Sequence, residues 1–542
     1  MLAANILTVI KKNKRNFAND DYLLKFIYSF WYIAPGKTKN RMMMTKGNYI
    51  KLIFGLKLKQ MRQDKNMLLS DLASRSSLSV SYLNEIESGK KYPKADKIAL
   101  LADALGVPYD KMVSLKLMRN LIPIEDFLES NILEQLPLDH YGIDINKLIL
   151  LMASSSPQLS ALIAAFIEMA KTSEQSQNNF SRTALRTFKE FNDNYFDEIE
   201  VAVKKFMKEN KITESQRVEF SKLKTILELK YKYEIDETSL NNYPELEELR
   251  AVVLQKKNKL LLNKRLSEAQ RAFVAGKELA YVYLGIKDRS LIYSSMRLNT
   301  FDHLLNYFKA SYFSTSLIIN SNLLVSDLET FFQRKKWDEN KFLELINKYN
   351  ATTEMFFQRI TNLSTKYFGL NKLFFLRFNY DTSSKEYKLS NELRLNTRRN
   401  PGGYQANEHY CRRWVSFETL TNMEMILKKD KKFNGRTAGI IHSKFHDSND
   451  EYLCISVAQK GNLQKNILSS LTVGFQLDEN LKQKIKFWND PKIPVRIVND
   501  TCEKCMLKDC KERVAPPSSA ERIGKFNNIE KALQRLIEDY KE

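Results

Sequence analysis

Glycine and proline are scarce, 16 and 12 copies in 542 residues, about 5% together against a usual share of about 12%. The shortage excludes collagen-like and low-complexity chains, weighs against an all-β fold built on glycine turns, and suits long helices. Cysteine is scarcer still. Its five copies, Cys411, Cys454, Cys502, Cys505 and Cys510, all lie in the last quarter of the chain, three of them within nine residues. A secreted disulfide scaffold would spread them more evenly, so the pattern indicates a reducing compartment, the cytoplasm. A clean membrane segment is also missing. The longest uncharged run, Leu148 to Ile167, reaches 20 residues. It is broken by Ser154-Ser155-Ser156-Pro157-Gln158, which reads as two helices meeting at a turn. Tyr22 to Ala34 is apolar apart from Lys25, but Pro35-Gly36-Lys37 follows it instead of a small-residue cleavage site.

What is present is an ordinary globular mix, 43% hydrophobic and 28% charged, long enough for about three to five domains. The net charge of +22 favours polyanionic partners such as nucleic acid, an anionic membrane surface or phosphorylated ligands. Residues 1–48 read as an extension. The composition changes at Met42-Met43-Met44, and residues 1–43 look like the product of an over-extended start codon.

From Tyr49 the chain is strongly patterned. Ile50, Ile53, Phe54, Leu56, Leu58 and Met61 recur at helical spacing; Leu69 to Ser76 follows as a short helix, Ser77-Leu78-Ser79 as a turn, and Val80 to Glu87 as a third helix capped by Ser79. Its inward residues are read as Val80, Leu83 and Ile86. Gly89 ends it; Ala95 to Leu105 and a last helix from Pro108 complete a domain over 49–117. Two short helices joined by a tight turn predict a helix-turn-helix. The wording Leu72-Ala73-x5-Ser79-x-Ser81-Tyr82-Leu83-x2-Ile86-Glu87-x-Gly89-x3-Pro93 resembles the phage-repressor (Cro/C1, or XRE) DNA-binding domain. The resemblance implies that Val80 to Glu87 enters the major groove of double-stranded DNA. Ser79, Ser81, Tyr82, Asn84 and Glu85 would then meet base edges or phosphates, and Lys90, Lys91 and Lys94 would hold the backbone. Two residues depart from the family: Leu68 stands where a Ser or Thr cap is usual, and Ser77 replaces the turn glycine. A five-helix domain binding a protein partner is the competing reading.

Residues 118–225 read as linker and dimerisation helices: Ile122 to Leu136, Ile145 to Ala153, Pro157 to Lys171 and Phe180 to Lys208. The period then switches. Leu229, Tyr231, Tyr233 and Ile235 alternate with charged residues as a strand would, and Leu249 to Gln255 with Lys259 to Asn263 flank a hairpin turn. A helix over Glu268 to Gly285 follows. This order resembles the zinc-peptidase-like ImmA/IrrE family over residues 226–365. In that family the helix carries H-E-x-x-H, two histidines gripping zinc and a glutamate activating water. Here the aligned residues are Lys277-Glu278-Leu279-Ala280-Tyr281, and the later E-x2-A-x2-F becomes Tyr307-x2-Ala310-x2-Phe313. The resemblance therefore implies a retained fold without catalysis, with Glu278 in a structural hydrogen bond or ion pair.

Cys502-x2-Cys505-x4-Cys510 brings three thiolates within reach of one soft metal or cluster, with Cys411 as the fourth candidate, His409 behind it, and Cys454 as a buried strand cysteine. Redox-active or structural free thiols remain the alternative. His409-x-Cys411-Arg412-Arg413-Trp414, with the cysteine triplet before Arg513-x2-Pro516-Pro517, resembles the C-terminal domain of bacterial regulators that join it to an XRE domain and an ImmA/IrrE-like segment. Those regulators control short-chain fatty acid or methylcitrate metabolism. The resemblance implies an acyl-CoA effector and, in some members, an iron–sulfur cluster or zinc. Arg398, Arg399, Arg412 and Arg413 are candidate phosphate-binding residues, with plain solvated charge as the alternative.

The expected fold class is mainly α and multidomain: an N-terminal five-helix helix-turn-helix domain, a helical middle, a degenerate zincin-like α+β domain, and a C-terminal α/β sensor domain over 366–517 followed by a helix over 518–542. The expected function is a dimeric transcription regulator, neither enzyme nor membrane protein, that responds to a metabolite or redox state. A metallopeptidase acting on a repressor and a protein-interaction scaffold are the competing classes.

Overall fold

The computed structural model describes residues 46–114, 176–215, 217–289, 301–395, 408–461 and 466–539. They fall in two compact units, one holding 46–114 and the other everything from 176 onward. Residues 1–45 of the N-terminal extension, the expected helices between 122 and 171, and the Arg398-Arg399 turn lie outside the described residues. Among the described residues no helix is long and apolar enough to cross a membrane.

The first unit contains α1 (Lys46–Asp64), α2 (Leu69–Ser76), α3 (Val80–Glu87), α4 (Ala95–Leu105) and α5 (Tyr109–Val113). Its core is one cluster in which Phe54, Leu58 and Met61 of α1 meet Leu72, Leu83, Ile86, Ile98, Leu101 and Leu105. The contributions of α1, α3 and α4 include residues spaced three or four apart, the arrangement that puts them on one face.

The second unit opens with α6 (Ser176–Phe191), α7 (Asp197–Glu209) and α8 (Phe220–Tyr231). The single helix expected over Phe180–Lys208 is broken, because Asp193 and Asn194 both adopt left-handed backbone, with φ of 49° and 53°. The strand expected from Leu229 is also corrected. Leu229 and Tyr231 belong to α8, whose buried Phe220, Leu223, Ile226 and Leu227 set a helical period; Lys232, at φ 58°, stops it. Only β1 (Glu234–Asp236) remains extended. It pairs in parallel with β3 (Lys259–Leu262), which pairs antiparallel with β2 (Ala251–Leu254) as the hairpin pattern predicts.

Helix α9 (Glu268–Tyr283) starts at Ser267, which exchanges hydrogen bonds with Gln270 in a capping box. Next come α10 (Phe301–Ile318), α11 (Ser321–Phe332), α12 (Glu339–Lys348) and α13 (Thr353–Phe368). A six-stranded sheet completes the unit in the order β5-β4-β8-β7-β6-β9. Its strands are β4 (Leu373–Asp381), β5 (Tyr387–Leu395), β6 (Arg436–Phe445), β7 (Glu451–Lys460), β8 (Ile467–Gln476) and β9 (Val495–Val498), all antiparallel to their neighbours except β9 beside β6.

Alternation along the strands serves two faces. Phe374, Leu376, Tyr452 and Cys454 join Val415, Phe417 and Leu420 of α14 (Val415–Lys429) in one cluster. Leu373, Phe375, Leu453, Ile455, Val457, Leu471 and Val473 join the opposite one, with Phe342 of α12 and Phe356 of α13. That larger core runs from Phe196 to Ile493, so the boundary read at 365/366 lies inside a continuous hydrophobic interior. A short α15 (Glu479–Lys484) and a last helix, α16 (Ser518–Asp539), end the described chain.

Candidate functional site

The turn between α2 and α3 is built from polar residues that do local work. Ser77 takes left-handed backbone, φ 54°. The Ser79 hydroxyl accepts a hydrogen bond from the Tyr82 amide at 3.2 Å and so caps α3. At α2, where Leu68 has no capping group, Asp71 supplies one by accepting from the Leu68 amide at 2.8 Å. Leu83 and Ile86 are fully buried and fix the inner face of α3. Val80, read as inward, is 47% exposed; at the first position of the helix it clears the core.

Ser79, Ser81, Asn84, Lys90, Lys91 and Lys94 are all exposed, and Tyr82 and Glu85 are half-buried. All eight candidate contact residues are therefore at least partly open to solvent. Lys91 folds back over Tyr82, with its Nζ 4.9 Å from the centroid of the Tyr82 ring and 3.4 Å from Glu85.

The supports of α3 were not legible from spacing. Arg62 of α1 donates through Nε and Nη2 to the two carboxylate oxygens of Glu87, at 2.7 and 2.9 Å, and through Nη1 to the Met67 carbonyl at 2.7 Å. The bond to Glu87 raises the guanidinium pKa further above its ordinary value. Gly55 lets α1 approach, since a Cβ there would stand 2.2 Å from the Ile86 carbonyl oxygen. Gly89, at φ 71°, turns the chain where a Cβ would meet Leu52 at 2.9 Å. Lys57 is buried and donates to the Lys111 and Ser114 carbonyls at 2.7 and 2.6 Å, tying α1 to the end of the unit. A charged residue inside each apolar run, Lys57 and Glu87, was the available signal.

A helix-turn-helix family profile, HTH_3, matches residues 58–112. Residues 58–112 are a helix-turn-helix domain. No curated protein matches the chain. Among solved structures, a Mycobacterium tuberculosis transcriptional regulator is similar over 61% of this chain and 92% of its own, at 14% identity and a TM-score of 0.42.

Beyond the helix-turn-helix domain, the second unit brings Cys411, Cys502, Cys505 and Cys510 onto the wall of one small cleft, with Arg412, Arg413 and Arg513. Two chain segments meet to form it. Tyr410 bridges Thr501; the Cys411 amide donates to Asp500 at 3.0 Å and the Cys502 amide to His409 at 2.8 Å. Arg513 donates to the carbonyls of Cys502, Cys505 and Leu507, holding the cysteine loop in shape. His409 does not line the pocket. Its Nδ1 is 2.7 Å from Glu503, and its amide donates to the same carboxylate. Cys454 lies apart, in β7 beside Ser443. Burial pushes the Cys411 thiol up to about 11 and the Cys454 thiol up to about 12.

Four thiols on one wall suit a soft metal in kind. Among the described residues, however, no group of three or more His, Cys, Asp or Glu side chains stands in position to hold a metal ion. The Arg412 guanidinium lies 4.2 Å from the Tyr387 ring centroid and 4.9 Å from that of Phe417, and its Nη1 is buried with no hydrogen-bond partner among the described residues.

The peptidase-like motif sits in the interior. Glu278 is fully buried and accepts from the Tyr233 hydroxyl and from Arg289 Nη1, both at 2.6 Å. Lys277 is fully buried, with its Nζ 3.2 Å from the Tyr307 ring centroid. Burial, with Arg250 adding repulsion, holds that lysine well below its ordinary pKa. These residues do not fit zinc. A basic side chain stands where the motif places its first histidine, and the glutamate is committed to Tyr233 and Arg289.

Proposed function

We propose that the chain is a sequence-specific regulator of transcription, acting in the cytoplasm, that reads double-stranded DNA through α3. The observation that carries this reading is the division of α3: Leu83 and Ile86 are fully buried while Ser81 and Asn84 are exposed. A helix so held presents short polar side chains to a groove on a fixed base. Exposed Lys90, Lys91 and Lys94 beside it supply the phosphate contacts that position a protein on the duplex. Quantitative binding to the chain's own upstream DNA and to scrambled duplex of the same length tests it; equal affinity for both contradicts it.

The second unit then serves as the sensor. Its signal enters at the pocket where Cys411 meets the Cys502–Cys510 loop. Cys411, Cys502, Cys505 and Cys510 are the residues that would have to draw together to hold zinc or an iron–sulfur cluster, and a cluster would make the domain responsive to oxidants. Arg412 and Arg413 line the same wall and are the residues that would meet an anionic effector of the acyl-CoA kind. Metal content and the absorption spectrum of anaerobically prepared protein test the cysteine assignment; neither iron nor zinc contradicts it.

The peptidase-like segment is read as a scaffold without hydrolytic activity. The pairing of Glu278 with Arg289 and the burial of Lys277 support this. Proteolysis that depends on Glu278 contradicts it.

A further inference from the structure

Val80 opens α3 directly after the Ser79 cap, and 47% of it is exposed. Helix residues step by about 100° and rise by about 1.5 Å, so Val80 and Asn84, four apart, stand about 40° and about 6 Å from each other. Both are exposed, as is Ser81 between them, while Leu83 and Ile86 are buried. A lone exposed valine is ordinary on a protein surface. This one differs by its place, beside Ser81 and Asn84 at the start of the helix that is read as entering the groove. The first turn of α3 also holds no acidic residue, so nothing on that turn repels a phosphate backbone.

The base edges in the major groove carry donors, acceptors and one apolar group, the C5-methyl of thymine. Valine matches that methyl in kind. A β-branched side chain in a helix keeps essentially one χ1 rotamer, so docking Val80 costs little conformational entropy. Asn84 has a different complement. Its amide nitrogen can donate to N7 of adenine while its oxygen accepts from the N6 amino group; guanine, with two acceptors there, leaves that oxygen without a donor. Base pairs are stacked about 3.4 Å apart, so the 6 Å between the two residues spans about two steps at most.

We infer that Val80 reads the methyl of a thymine and Asn84 an adenine no more than two base pairs away. The inference rests on the proposed reading of DNA by α3 and adds the base pairs that it selects. The full chain is first used to select its tightest duplex from a randomised pool. Each thymine of that duplex is then replaced by uracil, which removes the methyl and keeps every hydrogen-bonding group. At least one uracil should weaken binding about fourfold, the scale of one buried methyl. In Val80→Ala the same uracil should have no effect; alanine is the better helix former, and an unchanged melting temperature shows that the domain stays folded. At an adenine within two base pairs of that thymine, 7-deazaadenine, which lacks the N7 acceptor, should weaken the wild type about fivefold and leave Asn84→Ala unaffected. If the pool yields no preferred duplex, the reading of DNA by α3 fails and takes this inference with it. If a duplex is selected but no uracil weakens binding, if the uracil effect persists in Val80→Ala, or if no adenine within two base pairs is sensitive, the DNA reading stands and this inference is overturned.

Discussion

Arg62 and Glu87 face each other across 25 residues of sequence in a two-pronged ion pair, Nε to Oε1 at 2.7 Å and Nη2 to Oε2 at 2.9 Å, with side chains only 12% and 8% exposed. The pair clamps the C-terminal end of α3 to α1. The angle at which the helix-turn-helix presents Ser81 and Asn84 thus depends on a bond made well away from that surface. Arg62→Ala strands the Glu87 carboxylate and should destabilise the domain by about 3 kcal/mol, the scale of breaking a largely buried pair. Hydrogen exchange over residues 46–114 reads this directly, and unchanged protection of α3 would show that the clamp is idle.

Ser77 carries the opposite expectation. Its φ of 54° costs a side-chain-bearing residue about 1–2 kcal/mol, part of which glycine returns as entropy lost on folding. Ser77→Gly should stabilise the domain by about 1 kcal/mol and leave DNA affinity unchanged. A loss of stability would mean that the Ser77 side chain makes a contact that outweighs the strain.

Cys454 gives a pH dependence. Burial raises its thiol to about 12, above the value near 9 it has when unfolded. The unfolded chain therefore releases this proton first as pH rises. The stability the thiol lends is complete below about pH 9 and is lost on the way to about pH 12. Urea midpoints should fall over that window, and the fall should be shallower in Cys454→Ala. In native protein at pH 8 an alkylating reagent should modify half-buried Cys510 while sparing Cys454. Rapid native modification of Cys454 would contradict its placement.

The cysteine pocket separates by substitution. Cys505→Ser should remove bound metal or cluster absorbance and loosen the second unit, since coordination there closes a loop of about 100 residues. Cys454→Ser should leave metal content unchanged. If Cys454 matters more than Cys505, the pocket is not a metal site.

Much of the first unit was legible because its determinants are local. The Ser79 cap and the short apolar periods around Leu72 and Leu83 fix α2 and α3 at the residues the spacing predicts. The Arg62–Glu87 clamp was not, since an ion pair between distant residues leaves no periodic trace. The same holds for the second unit. Leu229 and Tyr231 alternate like a strand over a few residues, but burial of Leu223 and Leu227 in the tertiary core decides for a helix. The strands β4, β7 and β8 were legible as apolar runs, yet nothing local says that α12 and α13 cover their far face. The four-cysteine grouping was legible from spacing and resemblance together. The hydrogen bonds that bring Cys411 to the Cys502 loop join residues about 90 apart and had to be seen.

The central claim is that α3 reads bases while its flanking lysines hold phosphate. The most direct measurement is the affinity of Asn84→Ala and Lys90→Ala for the chain's own upstream duplex and for a scrambled one, across a salt series. The account predicts that Asn84→Ala loses about 1–3 kcal/mol on the upstream duplex only, relaxing specificity at one position. Lys90→Ala should weaken both duplexes alike and flatten the salt slope by about 1. If the two variants behave the same on both duplexes, α3 is not the reading helix and the account fails.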